Sequence, residues 1–439
     1  MRTSCTHRIN RRAVLASLAA TGIAGCLDKL TTRDEPKFTS GEAYWEPGSD
    51  DILADSWPLA RHDAQRSGTN SMAKGPEPPI EPKWSISPGE TRFNTPVVAD
   101  NRVFITNMEG GTLLALDVET GETLWKETFE QWLSAPAVAD GVLYVKDAAT
   151  SIDHEPNQVL AFDAATGQRK WTYELADDEH RGTTLVVTGG VVYVAADRYL
   201  LALDATTGKL AWRFDSGDPH RRLFSVVVGH ELVYASAHTS NVVNEEERAG
   251  TVFALNPVTK TVEWSVDFHQ ASEVSLAEDT VLVRDLATLF ALDRDTGEQR
   301  WQTPLRPHHT WERYGPDPLF AVVDDAVYYQ AESDKTDGGV AIKGVSVTEG
   351  VERAHFELGY PEAIERSPLI SVADTYLYTV TTENIHSHYI DVLDLKAKEH
   401  LQTIKLDHDY FKGYAGAPVI AENTLFVSDG GGGSVIAYQ

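Results

Sequence analysis

From residue 95 onward the chain is a succession of short apolar runs broken by turn residues. The stretch TPVVADNRVFITNMEGG (95–111) holds a brief apolar run, an acidic turn, and then a run alternating β-branched and aromatic residues. LALDVETGETLW (114–125) follows, with a third apolar run, an Asp-x-x-Thr-Gly turn and a run ending in Trp. Runs of this length bounded by turn signals predict β-strands, here four to a unit. The last segment recurs as LAFDAATGQRKW (160–171), LALDATTGKLAW (201–212), FALNPVTKTVEW (253–264) and FALDRDTGEQRW (290–301). Trp84, Trp125, Trp171, Trp212 and Trp264 are about 41 to 52 residues apart, and Trp301 follows after 37. A four-stranded unit repeated at that interval predicts a β-propeller, an all-β fold.

Each repeated residue has a structural task. Asp117, Asp163, Asp204 and Asp293 can accept hydrogen bonds from turn amides. Gly121, Gly167, Gly208 and Gly297 supply the positive φ of a tight turn. Ala115, Ala161, Ala202, Ala254 and Ala291 are small where sheets approach each other. The Trp is a large plate, suited to wedging between neighbouring blades, and its indole N–H needs a partner. The repeat is therefore expected to be a building block rather than a reaction centre. Two later units are worn. GVSVTEGVERAHF (344–356) keeps a glycine turn and has His355-Phe356 near the Trp position; VLDLKAKEHLQ (392–402) keeps Asp394 and loses both Gly and Trp. First strands (TPVVAD, APAVAD, TTLVV, FSVVV, EVSLAED, DPLFAVV, SPLISV and GAPVIAE) count eight units. The eighth ends at VIAYQ without a Trp strand, and PKWSI (82–86) is the strand that would complete it. Eight four-stranded blades, the last closed by the N-terminal strand, are expected, with no open edge.

Composition adds setting. With 38 basic against 66 acidic residues the net charge is −28, which disfavours nucleic acid and anionic lipid as partners. Acidic residues are spread along the chain, as on a surface adapted to high salt, where a Debye length of about 3 Å screens self-repulsion. The first 25 residues read as an export signal. Arg11 and Arg12 precede the apolar run 13–24, which is too short to span a bilayer, and the pair resembles a twin-arginine signal. The tetrad Ile23-Ala24-Gly25-Cys26 resembles a lipobox, so Cys26 is the expected lipidated first residue of the mature chain. Removing residues 1–25 takes four Arg and no acid, leaving −32. Residues 26–56 read as the lipidated Cys and a flexible polar tether, and 57–439 as the propeller. The expected location is the outer face of the cell membrane, on a monomer held by its lipid.

The motif Ala-x-Asp-x-x-Thr-Gly-x-x-x-Trp resembles the repeat of the pyrroloquinoline-quinone (PQQ)-like propellers, and WPLARHDAQRSGTN (57–70) resembles their lead-in. The resemblance covers 57–439 and implies the fold. For function it implies two branches. Quinoprotein dehydrogenases hold PQQ and calcium in the propeller axis and oxidise alcohols or sugars. Other members are scaffolds without cofactor, such as the lipoprotein subunit of the outer-membrane barrel-assembly machine, which this chain resembles in its lipid anchor and eight blades. The adjacent Cys-Cys pair of large quinoprotein alcohol dehydrogenases is missing, since no Cys follows Cys26, and so is a Cys-x-x-Cys-His haem motif. No catalytic residue and no metal ligand set is carried over. The expectation is a non-enzymatic protein-binding scaffold at the cell surface, without cofactor. A PQQ- and calcium-dependent dehydrogenase is the alternative, and a carbohydrate- or polymer-binding propeller the second. Salt adaptation together with a twin-arginine lipoprotein signal suggests a haloarchaeon, a cell without that outer membrane.

Candidate binding residues come from long loops between blades: His180 and Arg181; Arg221 and Arg222 beside His220; His309, Trp311, Arg313 and Tyr314 beside His308; Tyr410 and Tyr414. Aromatic and Arg side chains are the types that dominate interfaces. Basic loops on so acidic a chain would attract anions or acidic partners. Two weaker groups are His386 with His388, and Asp147 with Asp153 and Glu155, where chance and a solvated acidic loop are the simpler readings.

Overall fold

A computed structural model describes residues 35–41, 56, 58–87, 93–107, 111–148, 157–176, 179, 184–239, 249–305, 320–335, 339–358, 366–384, 387–406, 416–428 and 433–439. Eight antiparallel sheets stand in a ring, an eight-bladed β-propeller. Blades 1 to 7 span 97–128, 137–174, 185–215, 221–268, 271–304, 320–357 and 366–405. Blade 8 comprises Val419–Ala421, Thr424–Ser428, Val435–Tyr438 and, as its fourth strand, Pro82–Ile86. Trp84 pairs with Ala437, and Glu81 and Gln439 exchange backbone hydrogen bonds of 3.0 and 2.9 Å beyond it. The worn sixth and seventh units are full blades. The first strands line the inside of the ring, and the first strand of blade 8 packs against that of blade 1.

The repeat builds a staple from one blade to the next at five of the eight steps. Trp125 of blade 1 donates its indole N–H to the Ala164 carbonyl of blade 2 at 3.0 Å. Trp84, Trp171, Trp264 and Trp301 do the same toward Val118, Ala205, Arg294 and Val347. The accepting carbonyl always follows the turn Asp or its equivalent, Ser346 in blade 6. Asp117 holds that turn in shape, accepting from the Glu119 and Thr120 amides and the Thr120 hydroxyl. The glycine is needed twice over: Gly208 has φ +71, and a Cβ there would lie 2.6 Å from the Trp171 ring.

The small residue of the third strand acts within its own blade. Ala115 lies between Phe104 and Trp125 in register, and the two rings meet across it with centroids 6.0 Å apart. Tyr144 with Trp171, Tyr193 with Trp212, Tyr234 with Trp264, and Phe426 with Trp84 repeat the arrangement at 5.8 to 6.0 Å. A larger side chain between them would separate the rings.

Three inter-blade steps depart from the pattern. Lys260 and Lys398 stand at the glycine position with φ 57 and 59. Register puts Ala354, opposite Gly344, at the Trp position of blade 6, so His355 and Phe356 lie one and two residues past it. Gln402 takes the Trp position of blade 7, and its side-chain amide pairs with the Ile80 backbone at 2.9 and 3.3 Å.

Residues 26–56 are not wholly a free tether. Lys37–Ser40 forms a fifth strand on the outer edge of blade 3, where Phe38 packs on Trp212 and Phe214. Phe38 in the polar run 35–41 gives no periodicity to read, and its receptor lies about 175 residues away in sequence.

A pair of glycine substitutions tests the staple. Gly190 also has positive φ, +72, but open space around its Cβ position. Gly190→Ala should cost the backbone strain alone, about 1–2 kcal/mol. Gly208→Ala should cost a further ~1–3 kcal/mol from the clash with Trp171, read from chemical denaturation midpoints.

Candidate interaction face and axis

The propeller has two unlike ends. One, the turn face, carries the connections between first and second strands and the Asp-x-x-Thr-Gly turns. The other, the loop face, carries the longer connections between blades and between second and third strands. Among the predicted binding residues, Arg221 and Arg222 are described, and both lie on the loop face at the start of blade 4. His180, Arg181, His309, Trp311, Arg313, Tyr314, Tyr410 and Tyr414 lie outside the described residues, as do His386, Asp153, Glu155, Cys26, Arg11 and Arg12.

Neither described arginine is a free cation. Arg221 is buried, donates to the Thr251 hydroxyl, and has Asp218 at 3.2 Å and Asp267 at 3.7 Å. Arg222 faces Asp197 at 3.5 Å. The expected attraction for anions is met here by the chain's own carboxylates. These two residues belong to a larger charged layer under the loops of blades 2 to 4. Arg213 pairs with Glu179 at 3.0 Å, and Arg198 with Asp215 at 3.4 Å. Both guanidiniums lie over the Tyr199 ring, at 4.7 and 4.9 Å.

Lys146 and Asp147 complete this layer; the sequence reading grouped Asp147 with the acids of the following loop, whereas it lies on the second strand of blade 2, and it passed over Lys146. The second strand of blade 2 carries its apolar residues straight into them, and a charge in that run is the signal that could have found them. Lys146 is fully buried, and burial lowers its pKa to about 8, although Asp197, Glu179 and Asp147 all favour its charge. Burial raises the Asp147 carboxyl to about 7 against the opposing pull of Lys146. Among the described residues no group of three or more His, Cys, Asp or Glu is arranged to hold a metal ion.

The axis is filled from the turn face by the lead-in. The Val138 N–H donates to the Pro58 carbonyl, Val228 to Ala64, Leu276 to Gln65, Val322 to Ser67 and Val372 to Gly68, at 2.8 to 3.0 Å. One short segment thus satisfies the exposed inner edges of blades 2, 4, 5, 6 and 7. From it Arg61 extends into the axis, bonding the Ile370 and Phe320 carbonyls, with its Nε 3.9 Å from the Glu273 carboxylate. Both partners are 1% exposed. Glu273 is the one acid on the described first strands outside their end turns.

A polar cleft of about 520 Å³ opens between the outer strands of blades 6 and 7, beside the step where Ala354 and Lys398 replace Trp and Gly. His355 meets Glu357 at 2.9 Å there. Asp391, 3.1 Å from His400, raises the pKa of that imidazole chiefly through their hydrogen bond.

Two outcomes follow for the charged groups. The folded state keeps a proton on Asp147 up to about pH 7, whereas the unfolded chain releases it near 4. Folded protein therefore binds more protons in that window, and this group's contribution makes stability fall as pH rises through it, by at most about 1.4 kcal/mol per pH unit. Asp147→Asn should remove that component from a plot of unfolding free energy against pH. In the axis, Arg61→Met should cost ~3–5 kcal/mol by removing the guanidinium that faces buried Glu273, and adding Glu273→Gln should recover part of the loss, measured as a double-mutant cycle.

Comparison with known proteins agrees with this architecture. A serine/threonine-protein kinase, AfsK of Streptomyces coelicolor, is 31% identical over 156 residues, which are 33% of this chain and 18% of that protein. The chain thus spans less than a fifth of the length of the curated relatives it matches. BamB from Moraxella catarrhalis superposes with a TM-score of 0.54 at 13% identity, covering 82% of this chain and 97% of that one. Quinohemoprotein alcohol dehydrogenase from Comamonas testosteroni gives 0.63 at 13% identity, covering 88% and 81%. Both likenesses concern the fold. The family described as outer membrane protein assembly factor BamB matches residues 64–244 and 196–439, and the chain belongs to it.

Proposed function

We infer that this propeller is a non-enzymatic scaffold that binds a protein partner, exported through its twin-arginine signal and held by lipid on Cys26 at the outer face of the cell membrane. The observation that carries the scaffold reading is Arg61 in the axis. Calcium takes six to eight oxygen ligands, several of them carboxylates. The one inner-strand carboxylate described, Glu273, already faces a guanidinium, and the lead-in takes up the inner backbone edges. These residues do not fit a calcium–quinone pair, so no step is derived through one. Membership of the BamB family supports the same reading, because that family's description is of an assembly factor. The loop face is the surface assigned to the partner. Its described charged layer is internally paired, Arg213 with Glu179 and Arg222 with Asp197 among others.

Titration of the full chain with PQQ and calcium in high salt tests the absence of a cofactor through tryptophan emission. Emission should not change saturably; calcium-dependent quenching at micromolar quinone would establish the dehydrogenase alternative instead. Photo-crosslinkers placed on the cell-surface protein test the binding face. Position 220 on the loop face should give a discrete adduct and position 119 on the turn face none; the reverse pattern would remove the assignment.

A further inference from the structure

We propose that residues 37–41 are a clip that fastens the segment after Cys26 to the rim of blade 3 and so turns the loop face toward the membrane. The orientation rests on the lipid-anchor reading; the clip itself does not.

Blade 3 is built to receive this segment. At each glycine-bearing step that follows a Trp, the indole lies over the glycine of the next blade's turn. Here Trp is kept but Lys260 stands at the glycine position, with φ 57. Trp212 is instead fully buried, and its indole N–H has no acceptor among the described residues. Phe38 closes over it at 5.5 Å and over Phe214 at 5.2 Å. Lys260 uses its ammonium on the Ser40 hydroxyl at 2.5 Å. The Gly41 N–H donates to the Ala211 carbonyl at 2.8 Å, and no side chain fits at 41, since a Cβ would lie 1.9 Å from the Leu210 oxygen. Four residues pair in continuous register, from Lys37 with Asp215 to Ser40 with Trp212. Among the described residues no other blade carries a strand outside its fourth.

The polarity of this strand decides which way the propeller faces. Lys37 lies beside Asp215, at the loop-face end of blade 3. Without the clip, the tether would reach the propeller at residue 56, where the Ser56 carbonyl accepts from Asn70 in the turn-face lead-in. Clipped, the anchor leaves from the loop face; unclipped, it leaves from the turn face. The free tether also shortens. The stretch from Cys26 to Lys37 has a root-mean-square reach of about 20 Å as a coil, against about 30 Å for the stretch to Ser56. The surface presented to the membrane, and so to a membrane-embedded or membrane-bound protein partner, is the loop face.

The test uses the full chain with Cys5→Ser, so that Cys26 is the only thiol, joined to a maleimide lipid in nanodiscs. This supplies the anchor whether or not the cell attaches one. Amide exchange at 38–40 should be slowed at least tenfold relative to an unstructured chain, and both Phe38→Ala and Gly41→Val should abolish that protection. Exchange at the unstructured rate in the unaltered chain would overturn the clip. With 5-fluorotryptophan incorporated and a gadolinium-chelating lipid in the disc, the exposed Trp132 on the loop face should broaden more than Trp125 near the turn face. That difference should shrink or reverse in both variants. Equal broadening in the unaltered chain would overturn the orientation. Neither result depends on finding a partner, so failure of the scaffold reading would be seen separately.

Discussion

One contact governs this architecture: an indole of one blade lying over the turn of the next and donating to its backbone. Radially arranged sheets have no hydrogen-bond ladder between them, so something else must fix their spacing. The Trp supplies a flat apolar body and one directed polar bond. The turn supplies a carbonyl held at a set height by an Asp-capped loop and a floor without a side chain. The two parts make sense only together. Lys260 and Lys398, the residues found in place of glycine, occur where the preceding indole is either covered by Phe38 or absent, and the Trp301 step keeps Gly350 although its blade has lost other features of the repeat. Each bond is worth about 1 kcal/mol net and each aromatic pair about 0.5–1.5 kcal/mol. Their importance lies in setting the angle of every sheet against its neighbour.

Once the blades are fixed, the ring's inner edge becomes the next problem, and the lead-in resolves it. A segment that bonds five of the eight blades along the axis turns their open inner edges into a floor. The same segment carries Arg61 to Glu273, both buried in the axis. The described arginines of the loop face lie outside this axis, at the ends of the strands of blades 3 and 4. There Arg198, Arg213, Arg221 and Arg222 each face a carboxylate.

Much of this was legible in the sequence, for a physical reason: turn chemistry and strand alternation are local. The interval between Trp residues, the Asp-x-x-Thr-Gly turns and the eight first strands determine the fold, and PKWSI was recognisable as the strand missing from the last unit. Register within a worn unit was harder. His355 and Phe356 look like the remnant of an aromatic position, yet the bulge beside Gly344 puts Ala354 there. Contacts that depend on distant partners were not legible. Phe38 finds Trp212, Arg61 finds Glu273, and Arg221 finds Asp267, and in each case the pairing follows from topology rather than from spacing. Arg221 and Arg222 were read as exposed attractors because a sequence does not show which acids lie opposite a loop.

The closing strand has a kinetic consequence. Pro82–Ile86 pairs with Val435–Tyr438, so the two halves of blade 8 are made some 350 residues apart. Blades 1 to 7 can each assemble from contiguous chain as it is synthesised. The ring cannot lock until Tyr438 has been made, and the last step is a loop closure of the longest range the fold contains, hence a slow one. Until then the eighth sheet is an unpaired edge on a nearly complete ring, open to pairing with another chain. Afterwards, opening the ring means stripping that strand first, which should make unfolding slow as well. The protein's durability would then be measured by a lifetime rather than by an equilibrium constant.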